Sequence, residues 1–149
     1  MITRFNNYIV ESRKSIDELE VLTPDQLGEL LLDEMTKYPP DFQHIQDIIA
    51  VGCPIDSKTD HGWTALHYAV MRDKLDIMKF LISKGADINA RDKKGWTVLH
   101  LAARDEKPDV LRFLISKGAD IQAKTDGGYR AWNLGWGIRE EVPELNPDK

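Results

Sequence analysis

Histidine is the side chain best suited to proton transfer and metal binding near neutral pH, and two of the four histidines occupy equivalent places in this sequence. His67 and His100 each lie in one of two copies of the same short motif. A catalytic or metal-binding role would need partners at a recognisable spacing, as in His-Glu-x-x-His or a cysteine cluster. Neither pattern occurs, and His44 and His61 have no spacing that makes them ligands with the other two.

The other side chains that could be reactive also lack a catalytic or metal-binding sequence pattern. Cys53 is the only cysteine, so an intramolecular disulfide cannot form and a cysteine-based zinc site would need more sulfurs. The acidic pair Glu140-Glu141 lies in a polar stretch, where solvated charge is the ordinary explanation. No P-loop or dinucleotide-binding glycine pattern is present. We therefore expect no catalytic residue, no cofactor and no metal, and the chain is not predicted to be an enzyme.

Composition sets the broad class. The 149 residues suit one compact domain or a short repeat array, and 42% apolar with 30% charged residues is an ordinary globular balance. No stretch approaches the roughly 20 apolar residues that cross a bilayer, and residues 1–10 do not resemble a secretory signal. A single thiol fits a reducing compartment, so we expect a cytoplasmic protein without a membrane segment.

Charge is distributed unevenly along the chain. The net charge of −5 divides into −7 over residues 1–57, +4 over residues 58–130 and −2 over residues 131–149. The middle is mildly basic but mixed in sign, and it lacks the concentrated basic stripe of a nucleic-acid-binding protein. We expect no nucleic-acid partner.

The strongest feature is an internal repeat. Residues 62–69 read GWTALHYA and recur as GWTVLHLA at 95–102, while residues 80–88 read FLISKGADI and recur unchanged at 113–121. Both blocks share one offset, and weaker copies lie upstream, over residues 42–55, and downstream at Gly128-Tyr129. Degraded outer copies around regular inner ones are typical of a stacked array, whose ends must face water.

One unit predicts two short helices. Thr64 precedes an apolar-periodic segment and marks the start of the first helix. A second apolar stripe of helical spacing runs from Leu75 to Ile82, and Gly85 follows it as a helix stop. Residues 86–92 read as a turn-rich connection to the next pair. A single unit cannot bury its stripe alone, so a neighbouring unit must cover it.

Residues 64–69 and 97–102 resemble the ankyrin signature Thr-Pro-Leu-His-x-Ala, with Ala65 and Val98 in place of its proline. The resemblance implies an all-α solenoid of stacked helix-turn-helix units with β-hairpin-like connecting loops. It also implies that His67 and His100 form hydrogen bonds within or between adjacent repeats and so fix a turn. Under the same repeat Cys53 aligns with Ala86, which favours a small packed residue over a reactive thiol.

The expected organisation after residue 22 has five parts. Residues 23–57 form an N-terminal cap, residues 58–90 and 91–123 form two regular repeats, and residues 124–142 form a truncated C-terminal cap. In the first cap, Thr23-Pro24-Asp25-Gln26 is a helix-start pattern and Asp41 can cap a second helix. In the last, Trp132 and Trp136 are expected to cover the end of the core. Residues 143–149, with two prolines, are expected to form a loose tail.

Residues 1–22 lie outside the resemblance and leave alternatives open. They can form extra helix packed on the cap, a frayed or partly disordered tail, or a segment that docks a partner. The pattern Ser15-Ile16-Asp17-Glu18 resembles a capping box.

What the resemblance implies about function is protein binding through the hairpin tips and the exposed, concave face of the first helices. By register, the expected contact positions are Lys58, Asp60, His61, Trp63, Met71 and Arg72 in the first repeat, Arg91, Lys93, Lys94, Trp96, Arg104 and Asp105 in the second, and Lys124, Asp126 and Tyr129 in the third.

An aromatic residue follows the glycine of each hairpin: Trp63, Trp96 and Tyr129. Aromatic and arginine side chains often anchor interfaces, but these rings can instead stack across neighbouring hairpins, or do both. If the basic tips bind, the partner surface is expected to be acidic.

We expect a monomeric, non-catalytic protein-interaction module. A component of a larger assembly of phage or secretion type is the alternative, and an enzyme the weakest.

Overall fold

The computed structural model describes residues 14–135 and 137–146, and this part of the chain folds into short helices joined by turns. The α-helices are α1 (Ile16–Leu19), α2 (Pro24–Thr36), α3 (Phe42–Ala50), α4 (Ala65–Met71), α5 (Leu75–Ser83), α6 (Val98–Arg104), α7 (Pro108–Ser116) and α8 (Ile138–Glu141). Two 3-10 helices cover Ala131–Asn133 and Pro143–Leu145. No β-strand occurs within these ranges, which confirms the expected all-α class.

The helices pair and stack as the repeat requires. Helix α2 packs on α3, α4 on α5, and α6 on α7, while the first helix of each pair also contacts the next first helix along the array. The core is one continuous cluster that runs through every pair. Each unit therefore buries its apolar stripe against its neighbours rather than within itself.

The helix starts follow from the capping residues. The Gln26 N–H donates to the Thr23 hydroxyl over 3.3 Å, while the Thr23 N–H donates to the Gln26 side chain over 2.9 Å. The Asp41 carboxylate accepts the His44 N–H over 3.1 Å. Each bond satisfies an N–H that the first turn of a helix leaves unpaired. The predicted helix starts at Pro24 and Phe42 are confirmed.

Glycine ends the second helix of a repeat. Gly85 has φ of 90°, the left-handed region in which a side chain is unfavourable. The Gly85 N–H donates to the Ile82 carbonyl and the Ala86 N–H to the Leu81 carbonyl, over 3.1 and 3.0 Å. This is the helix stop that the sequence predicts.

The connecting loops turn back on themselves like small hairpins. The Thr59 N–H donates to the Trp63 carbonyl over 2.9 Å. The same bond joins Asp92 to Trp96 and Thr125 to Tyr129 over the same distance. Three hairpin tips therefore project from one edge of the array, one per repeat.

The C-terminal end corrects one expectation. Residues 143–149 do not begin as a loose tail, because Pro143–Leu145 is helical and the Leu145 side chain is fully buried. This turn packs on α7 and α8, and with Ile138 and Val142 it closes the core. Tertiary packing overrides the two prolines and acidic residues that suggested a tail. Trp132 is partly buried against the core, whereas Trp136 and residues 147–149 lie outside the described ranges.

At the opposite end, α1 packs on α3 and buries Leu19 completely. Its Ser15–Glu18 capping box is present, as the sequence predicts. Residues 1–13, where the alternatives for the extension also apply, lie outside the described part of the chain.

Candidate functional site

The three hairpin tips are tied to one another through their backbones. The Lys93 N–H donates to the His61 carbonyl, and the Asp126 N–H donates to the Lys94 carbonyl, both over 3.0 Å. A side chain also links the first tip to the second, since Lys58 Nζ donates to the Arg91 carbonyl over 3.0 Å. These bonds form one edge in which the position of each tip is fixed by its neighbour.

Close approach at this edge requires glycine. A Cβ on Gly62 would lie 2.8 Å from the backbone nitrogen of Lys93, and Gly62 has φ of 82°. A larger residue would separate the first tip from the second and break the bond between His61 and Lys93.

The aromatic residue of the first tip is anchored on three sides. Trp63 Nε1 donates to an Asp92 carboxylate oxygen over 3.3 Å. Its ring stacks on His67 with centroids 6.0 Å apart and meets Tyr68 edge to face, with centroids 5.2 Å apart. Trp63 therefore holds neighbouring hairpins together, yet it stays only half-buried and can still contact a ligand.

In the second tip, the Arg104 guanidinium lies over the Trp96 ring, 5.7 Å from its centroid. The same guanidinium donates to both carboxylate oxygens of Asp105, over 2.7 and 3.1 Å. Stacking and a two-pronged salt bridge together orient the arginine.

Between the first and second tips lies an open cleft of about 430 Å³, within the range of small ligand sites. Six of the predicted contact residues line it: His61, Trp63, Lys93, Lys94, Trp96 and Arg104. Four further lining residues were not predicted: Thr59, Tyr68, Asp92 and Leu101. Tyr68 and Leu101 hold the same variable place of the signature in successive repeats, and comparison of these two positions was the signal that could have found them.

Other predicted contact residues face structural partners. Arg72 Nη1 donates to the Lys37 carbonyl over 2.8 Å, and the Met71 carbonyl accepts Lys107 Nζ over 3.1 Å. Arg91 reaches the third tip, where it bonds the Lys124 carbonyl over 2.7 Å and Asp126 over 3.1 Å. The guanidinium groups of Arg72 and Arg91 therefore already stabilise the array, whereas the cleft brings six of the predicted contact residues together.

Further predicted positions lie outside the cleft lining on exposed parts of the tips, among them Lys58 and Lys124. Asp60 is exposed on the first tip, and Asp126 and Tyr129 are exposed on the third. The Tyr129 residue is 56% exposed, the largest exposure among the three tip aromatics.

The two motif histidines are buried structural groups, as the resemblance implied. Nδ1 of His67 accepts the Thr64 N–H over 3.2 Å, and Nδ1 of His100 accepts the Thr97 N–H over the same distance. Nε2 of His100 lies 3.1 Å from the Tyr129 carbonyl of the next tip. Burial lowers the pKa of both imidazoles. Each ring joins the start of one helix to the following hairpin.

Cys53 is buried, and burial raises the pKa of its thiol to about 12. A thiol with so high a pKa is not ionised near neutral pH and is a poor nucleophile. The expectation of a small packed residue is confirmed.

A second buried polar group lies between α2 and α3. Burial alone would raise the pKa of Glu34, but hydrogen bonds from His44, Lys37 and the Asp41 N–H outweigh it and lower the pKa to about 2. The carboxylate lies 3.0 Å from His44 Nδ1 and 2.6 Å from Lys37 Nζ. These bonds join the two helices of the first pair across their loop, far along the chain from the hairpin tips.

Within residues 14–135 and 137–146, no group of three or more His, Cys, Asp or Glu side chains is placed to hold a metal ion. None of the helices in the same ranges is long and apolar enough to span a membrane.

Comparison with known proteins agrees with the architecture. A family model described as ankyrin repeats, in three copies, matches residues 35–125, more than half of the chain. No curated protein matches the chain.

Proposed function

Since the chain belongs to the ankyrin-repeat family, we propose that it is a non-catalytic module that binds one protein partner through its hairpin tips and the concave face beside them. Ankyrin repeats generally mediate protein–protein interaction, and their domains are typically non-catalytic. The observation that carries the proposal is the cleft between the first two tips, where aromatic and cationic side chains meet on a rigid edge.

The proposed surface comprises the cleft and the exposed positions of the third tip. Aromatic and arginine residues supply most of the energy of typical interfaces, and an already fixed surface loses little conformational freedom on binding. The cationic rim favours a partner with an acidic surface. We propose that the protein works as a monomer and that its partner is neither a nucleic acid nor a membrane.

The proposed organisation keeps the two regular repeats at 58–90 and 91–123 as the binding part. The caps over residues 23–57 and 124–142 cover the ends of the core, and residues 1–22 form an N-terminal extension. A short array of this kind offers a face only a few hairpins wide, which suits one compact epitope.

The test is affinity capture from the native host followed by mass spectrometry, with Trp96→Ala/Lys93→Glu as the binding variant. We expect the wild-type protein to retain a partner that the double variant loses, while circular dichroism shows an unchanged fold. Capture that is equal in both would place the binding surface elsewhere, with residues 1–22 as the next candidate. Light scattering of the pure protein checks the monomer, and a stable oligomer would favour an assembly role instead.

A further inference from the structure

The middle hairpin tip differs in charge from the tips on either side. Lys93 and Lys94 occupy the places that Asp60 and His61 hold one repeat earlier, and that Asp126 and Gly127 hold one repeat later. All of these positions are exposed. The paired lysines are therefore not a feature of the repeat, and they place two adjacent cations at the rim of the cleft.

Those two ammonium groups are available to a ligand. Neither Lys93 nor Lys94 forms a salt bridge with any residue that the structure describes. The carboxylate nearest to them in sequence, Asp92, is already engaged, since it accepts Trp63 Nε1 and the N–H groups of Lys94 and Trp96. Arg104 is in turn compensated by Asp105. Cationic recognition at this cleft therefore falls to the two lysines.

Besides the lysines and other polar residues, four large apolar or aromatic side chains line the cleft. The first repeat contributes Trp63 and Tyr68, which contact each other edge to face, and the second contributes Trp96, with the Arg104 guanidinium over its ring. Leu101 is only 2% exposed and lies at the bottom. A ligand that fills the cleft thus meets lysines first and rings deeper, with the walls held in place by the backbone bond between His61 and Lys93.

We propose that this cleft recognises a short segment of the partner in which a carboxylate side chain lies close in sequence to one large apolar side chain. The carboxylate pairs with Lys93 and Lys94 while the apolar group inserts between Trp63 and Trp96, against Tyr68. The inference rests on the proposed function and names the chemistry of the epitope. Tyr68 is its specificity-determining residue, because the equivalent place in the next repeat is the buried Leu101.

A peptide fits this surface better than a nucleic acid does. The residues around the cleft, 58–130, carry a net charge of +4, but the flanking residues 1–57 and 131–149 carry −7 and −2, so a polyanion long enough to reach them is repelled there. A short acidic segment meets mainly the two nearby lysines, since charges farther than about 10 Å are largely screened at physiological salt.

The test selects ligands without assuming a partner. A random dodecapeptide phage library is selected on the purified full-length chain, and the consensus peptide is resynthesised for titration by tryptophan fluorescence. We expect enriched sequences to place Asp or Glu within a few positions of Leu, Phe, Trp or Tyr. Replacing the peptide's carboxylates with amides is expected to weaken binding about tenfold, as removal of a close charge pair typically does.

Two variants and one matched control locate the binding. Lys93→Glu/Lys94→Glu and Tyr68→Ala should each weaken the consensus peptide about tenfold or more. The control, Lys84→Glu/Lys117→Glu, makes the same change in net charge at two exposed lysines outside the cleft and should leave binding unchanged. Because Lys93 and Lys94 are exposed, their variant tests the site even if Tyr68→Ala fails to fold.

Several results would overturn the inference. These are a library without enrichment, a consensus without a carboxylate, binding that survives the amide exchange or the lysine variant, and a labelled thymidine decamer that binds the cleft more tightly than the peptide. A cleft-dependent peptide without acidic residues would refute only this chemistry. Loss of the captured host partner in Trp96→Ala/Lys93→Glu would still support the proposed function.

Discussion

At the scale of single residues, the hydrogen bonds of His67 and His100 explain why histidine recurs at the same place in successive repeats. In His100, Nδ1 accepts the Thr97 N–H, so the proton of the neutral ring lies on Nε2, which donates to the Tyr129 carbonyl. The ring caps one helix and holds the next hairpin. Asn133 takes the same place one repeat later and accepts the Arg130 N–H over 3.1 Å, so it keeps the capping bond with a shorter side chain.

This comparison predicts an order of stability at position 100. His100→Ala leaves the Thr97 N–H and hydroxyl unpaired in a buried site, so the free energy of unfolding should fall by about 2–4 kcal/mol. His100→Asn retains an acceptor for the Thr97 N–H, as Asn133 does for Arg130, and should cost about 1 kcal/mol less than alanine. Urea unfolding of the three proteins measures the difference. Equal losses would show that the capping bond contributes nothing.

The histidines His67 and His100 also predict that the free energy of unfolding depends on pH. Burial lowers the pKa of His67 and His100 in the folded state, so the unfolded state binds more protons once the pH falls below about 6.5, the ordinary value for histidine. The stability from the neutral rings is complete above that pH and declines below it. Unfolding compared at about pH 7 and pH 5 should show a smaller loss in His100→Asn than in the wild type. A loss of the same size in both would assign the effect to other groups.

At the scale of elements, the turns between paired helices contain two non-glycine residues with positive φ. Asp73 has φ of 58° and Glu106 has φ of 50°, at equivalent places in successive repeats. This backbone costs about 1 kcal/mol for a residue with a side chain. The Glu106 side chain accepts the Gly137 N–H over 3.1 Å and so helps to hold α8, whereas Asp73 has only a 4.0 Å approach to Lys107 Nζ.

Substitution by glycine should therefore stabilise the protein at position 73 but not at position 106. Asp73→Gly removes the strain and loses only an exposed, weak charge pair, so the free energy of unfolding should rise by about 0.5–1 kcal/mol. Glu106→Gly removes similar strain but also the bond to Gly137, and should give no gain. Thermal unfolding measures both, with a rise in Tm of about 2–3 °C expected only for Asp73→Gly. An equal rise in the two variants would contradict the role of Glu106.

How much of these elements the sequence predicts depends on where periodicity and packing agree. The starts at Thr64 and Thr97, the stop at Gly85 and the caps at Thr23 and Asp41 are local features, and all are confirmed. Six cleft residues were predicted by register alone. Tyr68 and Asp92 were not predicted, because contact across repeats decides whether such side chains face the cleft or the core.

Arg72 and Arg91, two of the expected contact positions, illustrate the same limit. Arginine is a residue type often found at interfaces, and only the tertiary structure shows that these two guanidinium groups reach the carbonyls of Lys37 and Lys124. The sequence predicts the turns and caps within one repeat. Which group a long side chain reaches in the neighbouring repeat depends on how the repeats stack.

At the scale of the whole molecule, the array is stable only if both ends of its single core are closed. The C-terminal closure depends on Ile138, Val142 and Leu145, which are at most 1% exposed and belong to no regular repeat. Arg112 of α7 also donates to the Glu141 carbonyl, which fixes the closing segment against the last complete helix pair. Because each unit contacts only its neighbours, loss of this closure should spread inward from one end.

The variant Leu145→Ala tests whether unfolding spreads inward from the C-terminal end. Removing a fully buried leucine side chain should lower the free energy of unfolding by about 2–4 kcal/mol and the Tm by about 6–12 °C. Hydrogen exchange should quicken first in Ala131–Asn133 and α7, while α2 keeps its protection, since local opening begins where neighbouring contacts are lost. Glu144→Ala changes the exposed neighbour and is the matched control, with little expected effect. Exchange that quickens equally in α2 and α7 would show that the array unfolds as one cooperative unit, so that the closing segment protects the hairpin tips and the N-terminal cap alike.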